Sequence, residues 1–199
     1  METAPPTPAV LPYPRDLQRG RVALRPYRHT DAAAMAEAVG ESIDTVGRWQ
    51  DWCNPGYNLK SAQDWIEYCL RSWFTGDEYE LAIVDAASDA YLGGIGINQR
   101  NREHRFANLG YWVRQSSQGQ GIARAAGRLA AEYAFATVGV TRLEIVVATT
   151  NVPSRKTAQA IGGQLEGIAR NRLVLRGEAV DAAMYSMIPA DVLGKPGAR

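Results

Sequence analysis

The chain has 199 residues, 46% hydrophobic and 22% charged, with a formal net charge of +1. That is the size and make-up of one globular domain able to bury a real core. Near-neutrality excludes a global field that would draw the chain to nucleic acid or to an acidic membrane surface. Cys53 and Cys69 lack metal-ligand spacing and read as reduced thiols of an intracellular protein, so the expectation is a cytoplasmic chain with no metal site. No run of about 18 apolar residues predicts a membrane span. Met1 is followed by Glu2 and prolines rather than by a basic-then-apolar leader.

Five of the ten prolines fall between Pro5 and Pro14, so residues 1–20 read as an extension that cannot hold a helix. Val22, Leu24 and Tyr27 begin a strand. Thr30 reads as the N-cap of a helix from Asp31 to Val39, and Ser61 opens a second helix that Gly76 ends. Tyr79–Val84 and Tyr91–Ile97 are rich in β-branched and aromatic residues and flank the turn Ala87-Ser88-Asp89. Phe106–Val113 is a third strand of this group. An Ala-rich helix is expected over Ile122–Thr137, then an apolar strand over Leu143–Val147. Pro153 suits the first turn of a helix stopped by Gly162-Gly163. Gln164–Leu175 and Ala179–Met187 form a closing hairpin around Arg176-Gly177-Glu178. The order predicts one α/β domain over 21–189 with a mixed sheet, followed by a tail over 190–199.

The most informative stretch runs from Gly110-Tyr111-Trp112-Val113 through Arg114-Gln115-Ser116-Ser117 to Gln118-Gly119-Gln120-Gly121-Ile122-Ala123. A strand passes through a polar loop into a glycine-rich helix start. Helix N-termini leave backbone N–H groups unpaired, and glycine lets a phosphate approach them. Arg114, Arg124 and Arg128 lie here with no acid between them, which adds to the pull on an anion. The alternative is a glycine-softened turn without a ligand. There is no G-x-x-x-x-G-K-S/T, and Arg124 stands where a dinucleotide fingerprint has its third glycine.

What remains resembles the acetyl-CoA motif of the GNAT acetyltransferases, Q/R-x-x-G-x-G/A, as Gln118-x-x-Gly121-x-Ala123. Asn151-Val152-Pro153-Ser154 resembles the family's N-x-x-S/A, and Ile161-Gly162-Gly163-Gln164-Leu165-Glu166-Gly167 its LGF-x-x-EG. Gly110-Tyr111-Trp112 and Leu165-Glu166-Gly167 are similar to the RimJ/RimL-like branch, named for ribosomal-protein N-terminal acetyltransferases. The resemblance, over about residues 21–188, implies a GNAT fold of the α+β kind. Its mixed central sheet has about six to seven strands flanked by helices, splayed at the acetyl-CoA site.

It also implies roles. Backbone amides of Gln118, Gly119, Gln120, Gly121, Ile122 and Ala123 would hold the pyrophosphate. The Val113 main chain would pair with the pantetheine arm, its N–H polarising the thioester carbonyl. Asn151 would bond the pantetheine, cap the following helix, or do both. Ser154 resembles the serine proposed to protonate the leaving thiolate; the alternative is a serine that satisfies local backbone. Three positions depart from the pattern: Ala158 replaces a general-acid tyrosine, Gly163 a phenylalanine, and Asn108 a glutamate common in relatives.

These departures favour an acceptor that needs little deprotonation. An α-amine of pKa near 7.8 is roughly one-third neutral at pH 7.5, and a lysine near 10.4 only about 0.1%. That ~250-fold gap is roughly 3 kcal/mol of barrier. The expected activity is therefore direct acetyl transfer to a protein or peptide N-terminal α-amine. The alternatives are a small-molecule amine acceptor and a non-catalytic acyl-CoA-binding module. The expected partner is that acceptor, without nucleic acid or membrane, and a homodimer is compatible with the sequence. Trp49, Trp52, Tyr57, Trp65 and Trp73 read as core packing or as an aromatic slot for the acceptor. His104 beside Glu103 reads as a solvated turn or as a base. Arg170, Arg172 and Arg176 read as a solvated strand face or as an acidic-substrate site.

Overall fold

The computed structural model describes residues 10–14 and 17–194. Most of the proline-rich extension (1–9, with 15 and 16) and the end of the tail (195–199) lie outside the described residues. Eight strands form one sheet in the order β1-β2-β3-β4-β5-β6-β8-β7. In chain order the strands are β1 (Leu17–Arg19), β2 (Val22–Pro26), β3 (Tyr79–Asp85), β4 (Tyr91–Asn101), β5 (Phe106–Val113), β6 (Arg142–Ala148), β7 (Gln164–Leu175) and β8 (Glu178–Met187). The helices are α1 (Ala32–Gly40), α2 (Leu59–Thr75), α3 (Ile122–Tyr133), α4 (Val152–Ile161) and the short α5 (Pro189–Val192). The strand beyond the expected six to seven is β1. It lies inside the segment read as an extension, and Leu17, Gln18 and Arg19 pair with Leu24, Ala23 and Val22.

Two helix starts differ from expectation. Thr30 does not cap α1. Thr30 and Asp31 instead belong to a 3-10 turn, His29–Asp31, that leads into α1, which has no side-chain cap. The Asp31 carboxylate closes that turn by accepting the Arg28 N–H at 2.8 Å, while Arg25 grips it with two 2.8 Å bonds. The cap of the second helix lies three residues early, at Asn58 rather than Ser61, and accepts the Ser61 N–H at 3.2 Å. At the far end Gly76, at φ +67°, closes the helix as expected.

Alternation along β3, β4 and β5 sends side chains to two separate apolar layers. Leu81, Ile83, Ile95, Ile97 and Leu109 pack with α3 and α4. Ala82, Val84 and Tyr91 pack with α1 and α2. The sheet is antiparallel except at β5–β6, where a parallel pair spans only Phe106–Asn108 against Arg142–Glu144. Beyond it β5 stays paired to β4 and β6 stays paired to β8, so the two central strands part. The sheet splits there, and the functional groups collect around the split.

Candidate active site

A groove of about 770 Å³ lies at the split, lined by Val113, Gln118, Gly119, Gly121, Ile122, Ala123, Asn151 and Ser154. Gly119 and Gly121 have φ of +73° and +76°. A Cβ at either would meet nothing within 4 Å. The left-handed backbone, not lack of space, therefore demands glycine, and it turns the chain into α3. The first helical bond runs from Ala125 N–H to Gly121 O at 3.0 Å. The N–H groups of Ile122, Ala123 and Arg124 precede it and are left for a ligand. Gln120 does not line the groove. Its side chain donates to Ser116 O at 3.2 Å and accepts from Arg21 at 3.3 Å.

The expected arginine cluster is redistributed. Arg114 donates to Glu41 at 2.7 and 2.9 Å and to Glu37 at 2.8 Å, which ties the loop after β5 to the end of α1. That guanidinium, with the Ser116 N–H and hydroxyl, holds the Glu41 carboxyl down at about 2. Arg128 donates to Ile161 O at 2.8 Å. Neither is free for an anion. The cations that do line the groove are Arg48, Arg124 and Lys156, set against one carboxylate, Asp44.

Val113 stands where the splay needs it. Arg114 N–H donates to Leu92 O at 2.9 Å. In an antiparallel pair the hydrogen-bonding edge alternates, so Val113 turns its own N–H and C=O toward the missing strand. Its carbonyl accepts from Gln118 Nε2 at 2.9 Å. Gln118 therefore acts through its side chain as a strut between strand and loop. Asn151 accepts the Ser154 N–H at 3.2 Å and caps α4 while lining the groove, so the capping role read from the sequence holds. Its amide NH₂ has no partner among the described residues. Unpaired helix-start amides, an open strand edge and three cations suit an extended phosphate-bearing ligand such as coenzyme A.

Adjoining the groove, between the sheet and α1 and α2, is a second cavity of about 720 Å³. Trp52, Tyr57, Trp65, Tyr68 and Trp112 wall it, and Asp64, Glu80 and Arg172 are its charged groups. Trp52 meets Trp112 edge-on with ring centroids 5.4 Å apart, and Trp65 stacks on Tyr68 at 5.4 Å. The aromatic run thus divides by position. Trp52, Tyr57 and Trp65 form the cavity wall, Trp49 lines the groove, and Trp73, 2% exposed, is core and donates to Leu11 O at 2.8 Å. Arg176 braces the β7–β8 hairpin against Gly47 O at 3.2 Å, and Arg170 is exposed. His104 sits exposed in the β4–β5 turn and lines neither cavity.

The two spaces share Gln50, Tyr111 and Trp112. Tyr111 Oη donates to Ser154 O at 3.1 Å and lies 3.3 Å from Ser154 Oγ. Burial pushes this phenol up to about 12, so it is a neutral hydroxyl at the junction. Ala158 is fully buried, and its carbonyl accepts the Gly163 N–H at 2.9 Å. A Cβ at Gly163 would lie 2.9 Å from that same carbonyl and 3.3 Å from Tyr185 Cβ. Tight closure of α4 onto β8 thus leaves no room for a side chain at Gly163 without a shift. Glu166 is structural: Arg142 and Ser186 bind its carboxylate at 2.5–2.7 Å and hold it at about 2.

The residue that sequence reasoning missed is Glu80. It is 7% exposed on β3 and accepts from Asn98 Nδ2 at 2.9 Å, while Asn98 accepts from Asn108 Nδ2 at 2.9 Å. Burial pushes its carboxyl up to about 7 against the pull of the Asn98 bond, with the Glu78 charge adding a smaller push. The signal was available: a lone glutamate in an otherwise apolar strand, Tyr79-Glu80-Leu81-Ala82-Ile83.

Comparison with known proteins agrees with this geometry. Residues 21–164 match the family model described as "Acetyltransferase (GNAT) domain". The chain is 27% identical over 177 residues to the "Putative ribosomal N-acetyltransferase YdaF" of Bacillus subtilis (strain 168), covering 87% of this chain and 94% of that protein. It superposes with a TM-score of 0.77 at 27% identity on a "putative ribosomal-protein-serine acetyltransferase" from Vibrio cholerae, covering 87% of this chain and 97% of the other. Mycobacterium smegmatis RimJ, solved with a CoA-disulfide, shares the fold at TM-score 0.79 and 24% identity, over 86% of this chain and 83% of that one. Among the described residues no helix is long and apolar enough to cross a membrane. The chain belongs to the GNAT acetyltransferases and is an acetyl-CoA-dependent N-acetyltransferase.

Proposed function

We propose that the acceptor is the α-amine of a protein or peptide N-terminus, acetylated by direct attack. The observation that carries this reading is the aromatic cavity of about 720 Å³ that meets the groove at Tyr111 and Trp112. Its walls are flat rings that grip a backbone and small side chains without selecting strongly among them. An α-amine also asks least of the site, being partly neutral near pH 7.5. The relatives whose names refer to ribosomal-protein acetylation point the same way.

Each residue then has a task. The N–H groups of Gly119, Gly121, Ile122, Ala123 and Arg124 hold the pyrophosphate; that of Gln118 is already bonded to Gln115 O at 3.2 Å, and Gln120 lies outside the groove. Arg48, Arg124 and Lys156 neutralise it from the rim. Acetyl-CoA supplies an activated acetyl group as a thioester. The Val113 N–H donates to the acetyl oxygen, where negative charge grows. The free amide of Asn151 bonds the pantetheine arm. Ser154, paired with Tyr111, gives a proton to the departing sulfur. The test is the rate of thiol release with a panel of peptides and small amines. Peptides with a free N-terminus should outpace the same peptides blocked at the N-terminus but carrying an internal lysine. Lysine or a polyamine outpacing every free N-terminus would contradict the reading.

A further inference from the structure

The register of the sheet places Glu80 opposite Gly96, and Gly96 opposite Gly110. The three form one row across the face that α1 and α2 cover, and the row ends beside Tyr111. A Cβ on Gly96 would lie 2.1 Å from both Glu80 carboxylate oxygens. The carboxylate therefore rests over Gly96, one strand closer to the groove than its own Cα. From there the Gly110 backbone is about one strand spacing away, ~5 Å. No side chain stands between them in the row, because both positions are glycine. Among the described residues Asn98 is the one hydrogen-bond partner of this carboxylate, so it has acceptor capacity free.

We propose that Glu80 is the proton acceptor for the amine substrate, and that the Asn108–Asn98 chain aims its carboxylate. The assignment rests on amine acetylation and not on which amine is the natural acceptor. An ammonium entering the aromatic cavity hands one proton to Glu80, which frees the nitrogen lone pair. The nitrogen bonds to the acetyl carbon of acetyl-CoA while the carbon–sulfur bond breaks, its electron pair leaving on sulfur. The nitrogen's second proton passes to the sulfur by way of the Ser154 hydroxyl. Glu80 returns its proton to solvent through the cavity. The products are the amide, the free thiol and one proton.

The neighbours of Glu80 suit this role. Tyr27, after β2, and Cys69, on α2, are kept neutral by burial and do not compete for the proton. Tyr68, also on α2, is occupied with Glu78, which lies two residues before Glu80. Tyr57 and Tyr111 on the cavity wall are pushed up to about 12 by burial. Asp64 and Arg172 are the other charged groups of the cavity. Asn108 is thus the far end of a hydrogen-bonded chain to a carboxylate two strands away.

The test uses the full chain and amines of differing pKa, with kcat/KM followed from pH 5.5 to 9. Glu80→Gln keeps the side-chain shape, and Gly96→Ala displaces the carboxylate without removing it. In the unaltered enzyme the acidic inflection should fall near pH 7 for every amine. In Glu80→Gln it should move with each amine's own ionisation, with kcat at least 10-fold lower at pH 7 and KM for acetyl-CoA unchanged. Amine binding without acetyl-CoA, read by tryptophan fluorescence, should tighten through pH 7 in the unaltered enzyme and stay flat through pH 7 in Glu80→Gln. Gly96→Ala should show the same loss if Glu80→Gln is poorly folded. An inflection near 7 that survives both variants overturns the assignment, as does an unaltered enzyme whose profile tracks the amine. The readout is taken on whichever amine reacts fastest, so a wrong acceptor class leaves this result standing.

Discussion

The groove and the cavity meet at Gln50, Tyr111 and Trp112, and they are built differently. The ligand-facing backbone of the groove comes mainly from one continuous stretch, Val113 to Arg124, with Asn151 and Ser154 added from the start of α4. The cavity draws Tyr27, Trp52, Trp65, Glu80, Asn98, Trp112 and Arg172 from segments separated by most of the chain. A phosphate is recognised by backbone shape, so its site travels as a short motif. An acceptor is recognised by side chains that only folding brings together. The same fold can therefore hold its cosubstrate in one way while changing what it acetylates.

The largest expected effect breaks the groove alone. Gly121→Asp places a negative charge at the cradle and a side chain at φ +76°. Strain there costs about 1–3 kcal/mol, and repulsion adds to it, so CoA affinity should fall by about 100-fold or more in calorimetry. Fluorescence-detected binding of the amine should not change. Retained CoA affinity would remove the cradle from the account.

Ser154→Ala acts where the two regions meet. It should lower kcat by roughly 100-fold, as for a lost general acid, with CoA affinity nearly unchanged. Tyr111→Phe should cost less, and the double variant little more than Ser154→Ala, because paired groups act as a unit. A wild-type kcat in Ser154→Ala would reduce that serine to a helix residue.

Gly96→Ala sharpens the comparison from the cavity side. The atoms nearest the added methyl are the far end of a flexible side chain, so the fold should survive with its thermal midpoint nearly unchanged. The rate should still drop by about 10-fold, since a displaced proton acceptor loses much of its effect. The smallest effect belongs to Trp52→Ala. Losing one aromatic contact, about 0.5–1.5 kcal/mol, should raise the acceptor KM by about 2- to 10-fold and leave the acetyl-CoA KM alone. A change confined to the acetyl-CoA KM would mean that the two regions had been assigned the wrong way round.

Much of the architecture was readable because local patterns agree with it. The Ala-rich helix after Gly121, the proline at the start of α4 and the apolar run of β6 all formed as the sequence predicts. β1 was not readable, since three residues of mixed polarity carry no periodicity and pair only because β2 presents an edge. Thr30 misled because a 3-10 turn precedes α1, closed by an Asp31 carboxylate that Arg25 of β2 fixes, a contact between elements. In the site, Gly119, Gly121 and Asn151, read from their motif, all line the groove. Arg114 was misread as an anion ligand because Glu37 and Glu41, which neutralise it, are far back in the chain. Glu80 was visible as a lone glutamate in an apolar strand, but its partners were not: only strand register brings Asn98 and Asn108 to its side.

The central claim is that the cavity presents a chain's own N-terminus to the acetyl group held in the groove. One peptide carrying both a free α-amine and an internal lysine, incubated with enzyme and acetyl-CoA and sequenced by tandem mass spectrometry, tests it directly. The account predicts a single acetyl group on the N-terminal nitrogen. Acetylation on the lysine side chain, with the α-amine left free, would contradict it.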